Sequence, residues 1–283
     1  MTAQSLPPLD IPMLLRQYGL IPDKRLGQNF LIDETALKDV VEAAEVDDDS
    51  FVLEVGPGLG SMTRHLAAEA QNVVAVELDK RLLPPLRQVL SSFNNVEIVQ
   101  GDILDLAPTD LMGQDSYIVA ANIPYYITSA IIRHLMDAPV KPVRVVLTVQ
   151  VEVAERICAG PGSLSLLALS VQVYGAARIT ARIPATAFYP APKVDSAVVR
   201  MDLYDAPRIP EQDLDLFFRL AKAGFGQKRK TLLNALSSGM HWTKGKTKEI
   251  LALSGIDPQR RAQTLDLEEW KRLTQQTTNK KSG

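Results

Sequence analysis

Short runs rich in Val and Ile alternate with helical stretches over the first half of the chain, and this rhythm constrains the fold most strongly. The runs predict five strands at Phe51–Val55, Val73–Glu77, Val96–Gln100, Tyr117–Ala121 and Val143–Val149. Apolar residues at helical spacing predict helices at Met62–Ala70, Arg81–Ser91, Ser129–Met136 and Val151–Ala159. Strands that alternate with helices in this way favour a parallel sheet covered on both faces.

The pattern changes in the second half of the chain. Residues 168–178 and 197–203 predict two closely linked, antiparallel strands at the edge of the sheet. After two prolines the remaining segments are only helical, at Leu214–Gly224, Thr231–Ser237, Lys246–Ser254 and Leu267–Gln275. We therefore predict a doubly wound α/β domain over residues 1–206, with a leader over 1–25, and a small all-helical domain over 207–283.

Composition and the N-terminus bound the class of protein. The chain has 283 residues, 46% of them hydrophobic and 23% charged, which is ordinary for a soluble globular protein. A single cysteine, Cys158, excludes an internal disulfide framework and suits a reducing compartment. Neither a signal-peptide layout nor an apolar run approaching about 20 residues is present. We expect a cytoplasmic protein that does not span a membrane, and three scattered histidines predict no metal site.

A glycine-rich turn follows the first predicted strand. Gly56, Gly58 and Gly60 form a G-x-G-x-G pattern that leads into a helix. Ser61 stands where a dinucleotide-binding fingerprint has its third glycine, which lowers the expectation of NAD. Ligands of such sheets bind beyond the carboxyl ends of the strands, so the turn marks a possible site. Taken alone, it is almost as consistent with a purely structural strand-to-helix turn.

Acidic residues end the next two predicted strands. Glu77 can accept hydrogen bonds from both hydroxyls of a ribose, and Asp102 can accept one from the exocyclic amine of an adenine. Each acid alone would be an ordinary exposed residue at a strand end. The glycine turn and both acids at successive strand ends together predict an adenosine-containing cofactor without a pyrophosphate, and S-adenosylmethionine fits best.

The fourth predicted strand ends in Asn-Ile-Pro-Tyr-Tyr, residues 122–126. Beside a methyl donor, Asn122 Oδ1 and a backbone carbonyl near Pro124 would accept hydrogen bonds from the amino group of a base. Tyr125 would stack on the face of that base. Catalysis would then consist mainly of positioning, because the nitrogen becomes acidic once it is alkylated. The alternative is a simple Asn-x-Pro turn with two packed tyrosines.

In order and spacing these motifs resemble the KsgA family of ribosomal RNA adenine dimethyltransferases, over roughly residues 20–265. The resemblance rests on residues 54–60, 77, 102 and 122–125, and on four further segments at 27–31, 153–156, 188–196 and 225–232. It implies a Rossmann-like, class I S-adenosylmethionine-dependent methyltransferase sheet with a C-terminal helical domain that binds RNA.

The resemblance also implies the roles of individual residues. The cofactor would be held by Gln28, Asn29, Leu31, Gly56, Gly58, Glu77, Leu78, Asp102, Ile103 and Asn122. In this set, Gln28, Asn29 and Leu31 would cover the methionine end, with Gly56 and Gly58 behind it. Glu77 would hold the ribose, and Asp102 with Ile103 would hold the adenine. The target adenine would be held by Asn122, Pro124 and Tyr125, with Phe188 closing over its other face.

The family's substrate is a pair of adjacent adenosines in the 3′-terminal hairpin of small-subunit (16S) rRNA, each of which receives two methyl groups. The implied partner is that rRNA within an immature 30S subunit, late in assembly, bound by a monomeric enzyme. Residues 222–248 carry seven Lys and Arg residues and no Asp or Glu, although the whole chain has a formal net charge of -2. The resemblance implies that this segment contacts RNA phosphates; otherwise it is a solvated helix face.

Two departures from the family pattern affect RNA contacts rather than the pocket. Val151 replaces the usual Lys, and residues 160–168 lack the polar and basic groups that commonly follow a Pro-Gly-Ser turn. Three other functions are weighed against the small-subunit enzyme: methylation of a large-subunit rRNA adenosine, assembly without catalysis, and DNA adenine methylation. The intact pocket motifs disfavour a non-catalytic protein, and the match over 188–232 favours the small-subunit substrate. A transcription-factor role finds no specific support.

Overall fold

The computed structural model describes residues 6–123 and 127–279. These residues form two compact units. The first, here called the sheet unit, comprises the chain up to Ala154 together with Arg178–Leu203. The second, the helical unit, comprises Glu155–Ala177 and the chain from Tyr204 onward. Residues 155–177 thus group with the C-terminal helices, and the proposed functional boundary between residues 206 and 207 stays a prediction.

A seven-stranded sheet forms the centre of the sheet unit. In chain order the strands of the described residues are β1 (Phe30–Leu31), β2 (Phe51–Val55), β3 (Asn72–Glu77), β4 (Val96–Gln100), β5 (Ile118–Asn122), β6 (Arg144–Gln150), β7 (Gly175–Ile183), β8 (Phe188–Tyr189) and β9 (Ser196–Leu203). The order across the large sheet is β4-β3-β2-β5-β6-β9-β7, and β1 pairs with β8 separately. Strands β2 to β6 are parallel, and β9 is antiparallel to β6.

The strand order reverses at the middle of the sheet. From β2 the chain runs outward to β3 and β4, then returns to β5 on the other side of β2. Val52 of β2 lies between Val73 of β3 and Ile118 of β5, and all three are buried. Helices cover both faces of such a strand, which explains why its residues read as a continuous apolar run. The reversal creates a crevice at the carboxyl ends of β2 and β5.

Seven helices begin in the sheet unit within the described residues. They are α1 (Ile11–Gln17), α2 (Glu34–Ala44), α3 (Ser61–Glu69), α4 (Leu83–Val89), α5 (Pro108–Met112), α6 (Thr128–Asp137) and α7 (Val151–Ile157). Asp33 caps α2, since its Oδ1 accepts a hydrogen bond from the backbone N–H of Ala36 at 2.9 Å. The apolar face of α2, with Leu37 and Val40, packs into a core cluster that includes Val146 and Val198 of the sheet.

The helical unit contains α8 (Leu166–Gln172), α9 (Glu211–Phe225), α10 (Leu232–Gly239), α11 (Lys244–Leu253) and α12 (Leu267–Asn279). Trp270 of α12 is buried and stacks on Phe225 with ring centroids 5.8 Å apart. A Cβ atom on Gly224 would lie 2.7 Å from the Trp270 ring, so α9 and α12 approach closely because residue 224 is a glycine. Within the described part of the chain, no helix is long and apolar enough to cross a membrane.

The structure confirms the five parallel strands and the helices that the sequence predicts, to within a few residues at most ends. The strand predicted over 168–178 is wrong, because α8 occupies 166–172 and β7 begins only at Gly175. Ser165 caps α8 by accepting a hydrogen bond from the N–H of Ala168 at 3.1 Å. A short apolar run does not by its pattern distinguish a buried strand from a buried helix. The strand predicted over 197–203 is confirmed as β9, and it lies between β6 and the edge strand β7.

Candidate active site

A cavity opens at the carboxyl ends of β2, β3, β4 and β5, at the reversal of strand order. It has about 1110 Å³ of empty space including its open mouth. Its described walls are residues 26–31, 54–59, 61–62, 76–78, 82, 101–103, 122–123 and 127. All of these belong to the sheet unit, so one compact body carries the whole described cavity.

The glycine-rich turn brings backbone directly against the cavity. Gly56 and Gly58 have φ of 73° and 59°, in the left-handed region that favours glycine. A Cβ atom on Gly58 would lie 2.9 Å from the ring of Phe30 in β1, closer than real Cβ atoms approach. The turn therefore lets β1 close over the end of β2, and only glycine at position 58 permits that approach.

Glu77 is fixed by backbone donors at the end of β3. Its carboxylate accepts hydrogen bonds from the N–H of Gly58 at 2.9 Å and from the N–H of Asp79 at 2.8 Å. Burial raises the pKa of Glu77 to about 6, against the lowering effect of these donors. At neutral pH the side chain is therefore largely ionised, and it keeps lone pairs that can accept hydrogen bonds from ribose hydroxyls.

A polar network joins the N-terminal segment to the end of β3. Gln28 Nε2 donates to Asp79 Oδ2 at 2.9 Å, while Gln28 Oε1 accepts from the backbone N–H of Asp23 at 2.7 Å. Hydrogen bonds from Arg81 to Asp79, at 2.6 Å for the shortest, lower the pKa of Asp79. The side chain of Gln28 thus holds residues 23–28 over the cavity. Sequence reasoning assigned no role to Asp79 or Arg81, because Gln28, the partner of Asp79, lies 51 residues away in the chain.

Asn122 lies at the end of β5 and contacts the N-terminal segment. Its Nδ2 donates a hydrogen bond to the backbone carbonyl oxygen of Asn29 at 3.2 Å. Asn29 Nδ2 in turn donates to the carbonyl oxygen of Gly27 at 3.1 Å. The first bond assigns the nitrogen of the Asn122 amide and leaves Oδ1 as its acceptor atom. The neighbouring predicted residues Pro124 and Tyr125 lie outside the described residues.

The loop after β4 supplies the remaining wall. Asp102 Oδ1 accepts a hydrogen bond from the N–H of Leu104 at 3.0 Å, which holds the loop in a turn. Ile103 is buried, whereas Leu78 across the cavity is 47% exposed. Two aliphatic side chains and a carboxylate thus form a surface suited to a flat base with an exocyclic amine.

The structure brings all ten residues of the predicted cofactor site to this one cavity: Gln28, Asn29, Leu31, Gly56, Gly58, Glu77, Leu78, Asp102, Ile103 and Asn122. Their individual roles toward a ligand stay predictions. Phe188 is not among the lining residues. It is 3% exposed and pairs with Leu31 in the β1–β8 ladder, within the core cluster of the sheet unit.

Sequence reasoning also missed Glu54, a fully buried residue of β2 that lines the cavity. Glu54, Glu77 and Asp102 give the wall three carboxyl groups, while the described lining residues include no Lys, Arg or His. Such a wall fits a cationic ligand that carries an adenosine, as S-adenosylmethionine does. Fold and cavity together define a Rossmann-like, class I methyltransferase whose cofactor is S-adenosylmethionine.

Comparison with known proteins specifies the family. A family model described as ribosomal RNA adenine dimethylase matches residues 22–278. The chain belongs to this family and is an S-adenosylmethionine-dependent rRNA adenine dimethyltransferase.

Among similar proteins is the ribosomal RNA small subunit methyltransferase A of Dehalococcoides mccartyi strain CBDB1, which is 43% identical over 261 residues, 92% of this chain and 90% of the relative. A second protein with that description, from Alkaliphilus oremlandii strain OhILAs, is 41% identical over 264 residues, 91% and 92% of the two chains. The crystal structure of the 23S rRNA methyltransferase ErmE is similar with a TM-score of 0.71 at 28% identity, covering 88% of this chain and 99% of that one.

Proposed function

We propose that this enzyme transfers methyl groups from S-adenosylmethionine to N6 of two adjacent adenosines in the 3′-terminal hairpin of 16S rRNA, forming N6,N6-dimethyladenosine during late 30S assembly. The observation that carries the proposal is the meeting of Asn122 with nine other predicted cofactor residues at one cavity. The small-subunit substrate is supported by relatives of over 40% identity described as small-subunit enzymes, against 28% for the 23S rRNA enzyme.

In this proposal the cofactor lies along the carboxyl ends of the strands. Glu77 accepts hydrogen bonds from the ribose hydroxyls, and Asp102 accepts one from the adenine amine, with Leu78 and Ile103 against the ring. Residues 28–31 cover the methionine end above Gly56 and Gly58. When bound there, S-adenosylmethionine supplies an electrophilic methyl group beside Asn122.

The protein's contribution to the reaction is mainly positioning. Asn122 Oδ1 and the carbonyl at Pro124 accept hydrogen bonds from the target amino group and direct its nitrogen toward the methyl donor. Tyr125 stacks on one face of the adenine. Phe188, which is buried in the β1–β8 ladder, would have to become exposed to close over the other face. Stacking of this kind offsets part of the cost of taking a base out of its helix. A strong general base is not required, because the alkylated nitrogen loses its proton readily.

RNA binding is assigned to the helical domain over residues 207–283. Its basic segment over residues 222–248 exposes all seven cationic residues: Lys222, Lys228, Arg229, Lys230, Lys244, Lys246 and Lys248. Lys246 Nζ lies 5.4 Å from the centroid of the Trp242 ring. An exposed cationic segment that contains no acidic residue suits phosphate contacts and the release of counterions. The proposal includes a monomeric enzyme that acts in the cytoplasm on rRNA within immature 30S subunits.

The test is transfer of radiolabelled methyl groups from S-adenosylmethionine to immature 30S subunits, with 50S subunits, naked rRNA and duplex DNA as parallel acceptors. Label in 30S alone, recovered as N6,N6-dimethyladenosine at two adjacent positions, is the expected result. Label in 50S subunits would instead assign a 23S rRNA substrate, as in ErmE. Label in DNA, or in none of the acceptors despite cofactor binding, would also overturn the proposal.

A further inference from the structure

Glu54 is a buried acid for which the proposed positioning of substrate gives no role. It lies on β2, two residues before the glycine turn, has no exposed surface and lines the cofactor cavity. Neither of its carboxyl oxygens has a hydrogen-bond partner among the described residues. An unpaired buried carboxylate is strongly unfavourable. The carboxyl group of Glu54 is therefore either protonated or paired with a positive charge on a bound ligand.

The neighbours of Glu54 within the protein do not supply that charge. Burial is the main cause that raises the pKa of Glu54 to about 8; the Thr63 hydroxyl on α3 acts against it, and the ionised Glu77 on β3 adds a smaller increase. Thr63 Oγ1 itself makes no hydrogen bond of acceptable geometry with any described residue. The third acid of the wall, Asp102, adds negative charge, and the described lining residues contain no cation.

The missing positive charge can come from the cofactor. S-adenosylmethionine carries a sulfonium and an ammonium group against one carboxylate, so it enters as a net cation. Glu77 is already held by two backbone donors, whereas Glu54 has both oxygens unpaired inside the cavity. A cation brought into a low-dielectric site favours the charged form of an acid that faces it.

We propose that Glu54 is the counter-charge of the cofactor and changes its protonation state on binding. In the open cavity Glu54 is protonated and neutral; as the cationic cofactor enters, its O–H bond breaks, the proton leaves to solvent, and the carboxylate remains. Uptake of S-adenosylmethionine therefore releases a proton from Glu54. The inference rests on the cofactor alone, so it is independent of which RNA is methylated.

The coupling of proton release to cofactor binding makes the affinity for S-adenosylmethionine depend on pH over a limited range. At pH 7.5 most of the Glu54 carboxyls hold a proton, because their pKa is about 8, whereas Glu77, with a pKa of about 6, is mostly ionised. Below pH 8 the cofactor must displace a proton from Glu54, so its affinity rises with pH and levels off above about pH 8. Between pH 6.5 and 8.5 the Glu54 contribution corresponds to a tightening of Kd on the order of tenfold.

Isothermal titration of full-length protein with S-adenosylmethionine, without RNA, tests the proposal. Titrations at pH 7.5 in buffers of different ionisation enthalpy give the number of protons released. We expect wild type to release more protons than Glu54→Gln, by a large fraction of one proton, because Gln is a neutral match for the protonated acid. The Kd of wild type should also tighten more than that of Glu54→Gln between pH 6.5 and 8.5, by a factor on the order of ten. Because Glu77 and the ligand's amino group titrate in both proteins, the test compares wild type with Glu54→Gln and does not use the absolute proton count of either.

Equal proton release from the two proteins, or parallel pH profiles, would overturn the role of Glu54. Thermal unfolding at pH 6.5 checks that Glu54→Gln is folded. If Glu54→Gln does not fold, the wild-type profile decides: a Kd for S-adenosylmethionine that does not tighten between pH 6.5 and 8.5 would contradict the proposal. Both measurements are independent of the methyl-transfer assay that tests the RNA substrate.

Discussion

Asn122 and Asn29 are 93 residues apart in the chain, yet Asn122 Nδ2 donates a hydrogen bond to the backbone carbonyl oxygen of Asn29 at 3.2 Å. This bond uses the amide nitrogen and fixes the orientation of the side chain at the end of β5. Oδ1 of Asn122 is thereby identified as the acceptor atom. In the proposed function this oxygen receives a hydrogen bond from the amino group of the target adenine. A contact between the N-terminal segment and a strand end thus prepares the proposed active site.

Asn122→Ala should separate catalysis from cofactor binding. Removing Oδ1 takes away a hydrogen bond to the target amine, and we expect methyl transfer to fall by orders of magnitude while most of the affinity for S-adenosylmethionine remains. Methyl transfer to 30S subunits and calorimetric cofactor binding measure the two effects. Asn94→Ala, an exposed site in the same unit, is the control and should match wild type. Near-normal turnover of Asn122→Ala would remove Asn122 from the proposed catalytic group.

Gly58→Ala should damage the cofactor cavity through one steric contact. The new Cβ would lie 2.9 Å from the Phe30 ring, so either β1 or the turn must move. Gly113→Ala is a matched control, because Gly113 has the same φ of 59° but no atom within 4 Å of a built Cβ. We expect Gly58→Ala to cost about 1–2 kcal/mol more than Gly113→Ala in unfolding free energy.

Cofactor affinity gives a second comparison of these two glycine variants. Gly58→Ala should weaken binding of S-adenosylmethionine by at least about tenfold, whereas Gly113→Ala should bind like wild type. Denaturant unfolding and calorimetry supply the two readouts. If the two variants lose equal stability, the approach of Phe30 to Gly58 is not a significant constraint.

Asp202 should stabilise the sheet unit at neutral pH and lose that effect in acid. Burial raises the pKa of Asp202, but hydrogen bonds from Arg200, Arg144 and Arg178 outweigh it and lower the pKa well below 3.8. A folded-state pKa below the unfolded value gives stability that is present above the unfolded pKa and lost as pH falls through the folded one.

The corresponding variant is Asp202→Asn, which keeps the shape of the side chain and removes its charge. It should lower the unfolding free energy by about 2 kcal/mol at pH 7, and its difference from wild type should shrink steadily from about pH 5 to pH 3. Asp115→Asn, at an exposed site, should have the same unfolding free energy as wild type at both ends of this pH range. A pH-independent loss in Asp202→Asn would show that packing rather than charge explains its effect.

Replacement of Lys228, Arg229 and Lys230 by Gln should weaken RNA binding through charge alone. These exposed residues are adjacent in the helical unit. Each lost phosphate contact reduces the magnitude of the slope of log K against log salt concentration by about 0.7–0.9. We expect the triple variant to lower that slope by about 2 while cofactor affinity stays unchanged. Lys38→Gln, exposed on α2, is a single-charge control outside the helical unit. An unchanged slope would place the RNA surface elsewhere.

The sequence by itself determined the sheet and the composition of its ligand-binding edge. Buried parallel strands such as β2 and β5 must be apolar throughout, so their Val-rich runs are visible without a structure. Because parallel strands end at one edge, Glu77, Asp102 and Asn122 were expected to meet, and the structure brings them to one cavity. Local pattern and strand direction suffice for that inference.

Only the tertiary structure decided which groups meet across long stretches of chain. Whether residues 166–172 form a helix or a strand depends on what packs against them, since a short apolar run fits both. The proximity of Gly58 to Phe30, the bond from Asn122 to Asn29 and the position of Phe188 in the core all depend on where the N-terminal segment folds back. Likewise, an acidic residue at position 54 is visible in the sequence, but its complete burial without a hydrogen-bond partner among the described residues is set by three-dimensional packing.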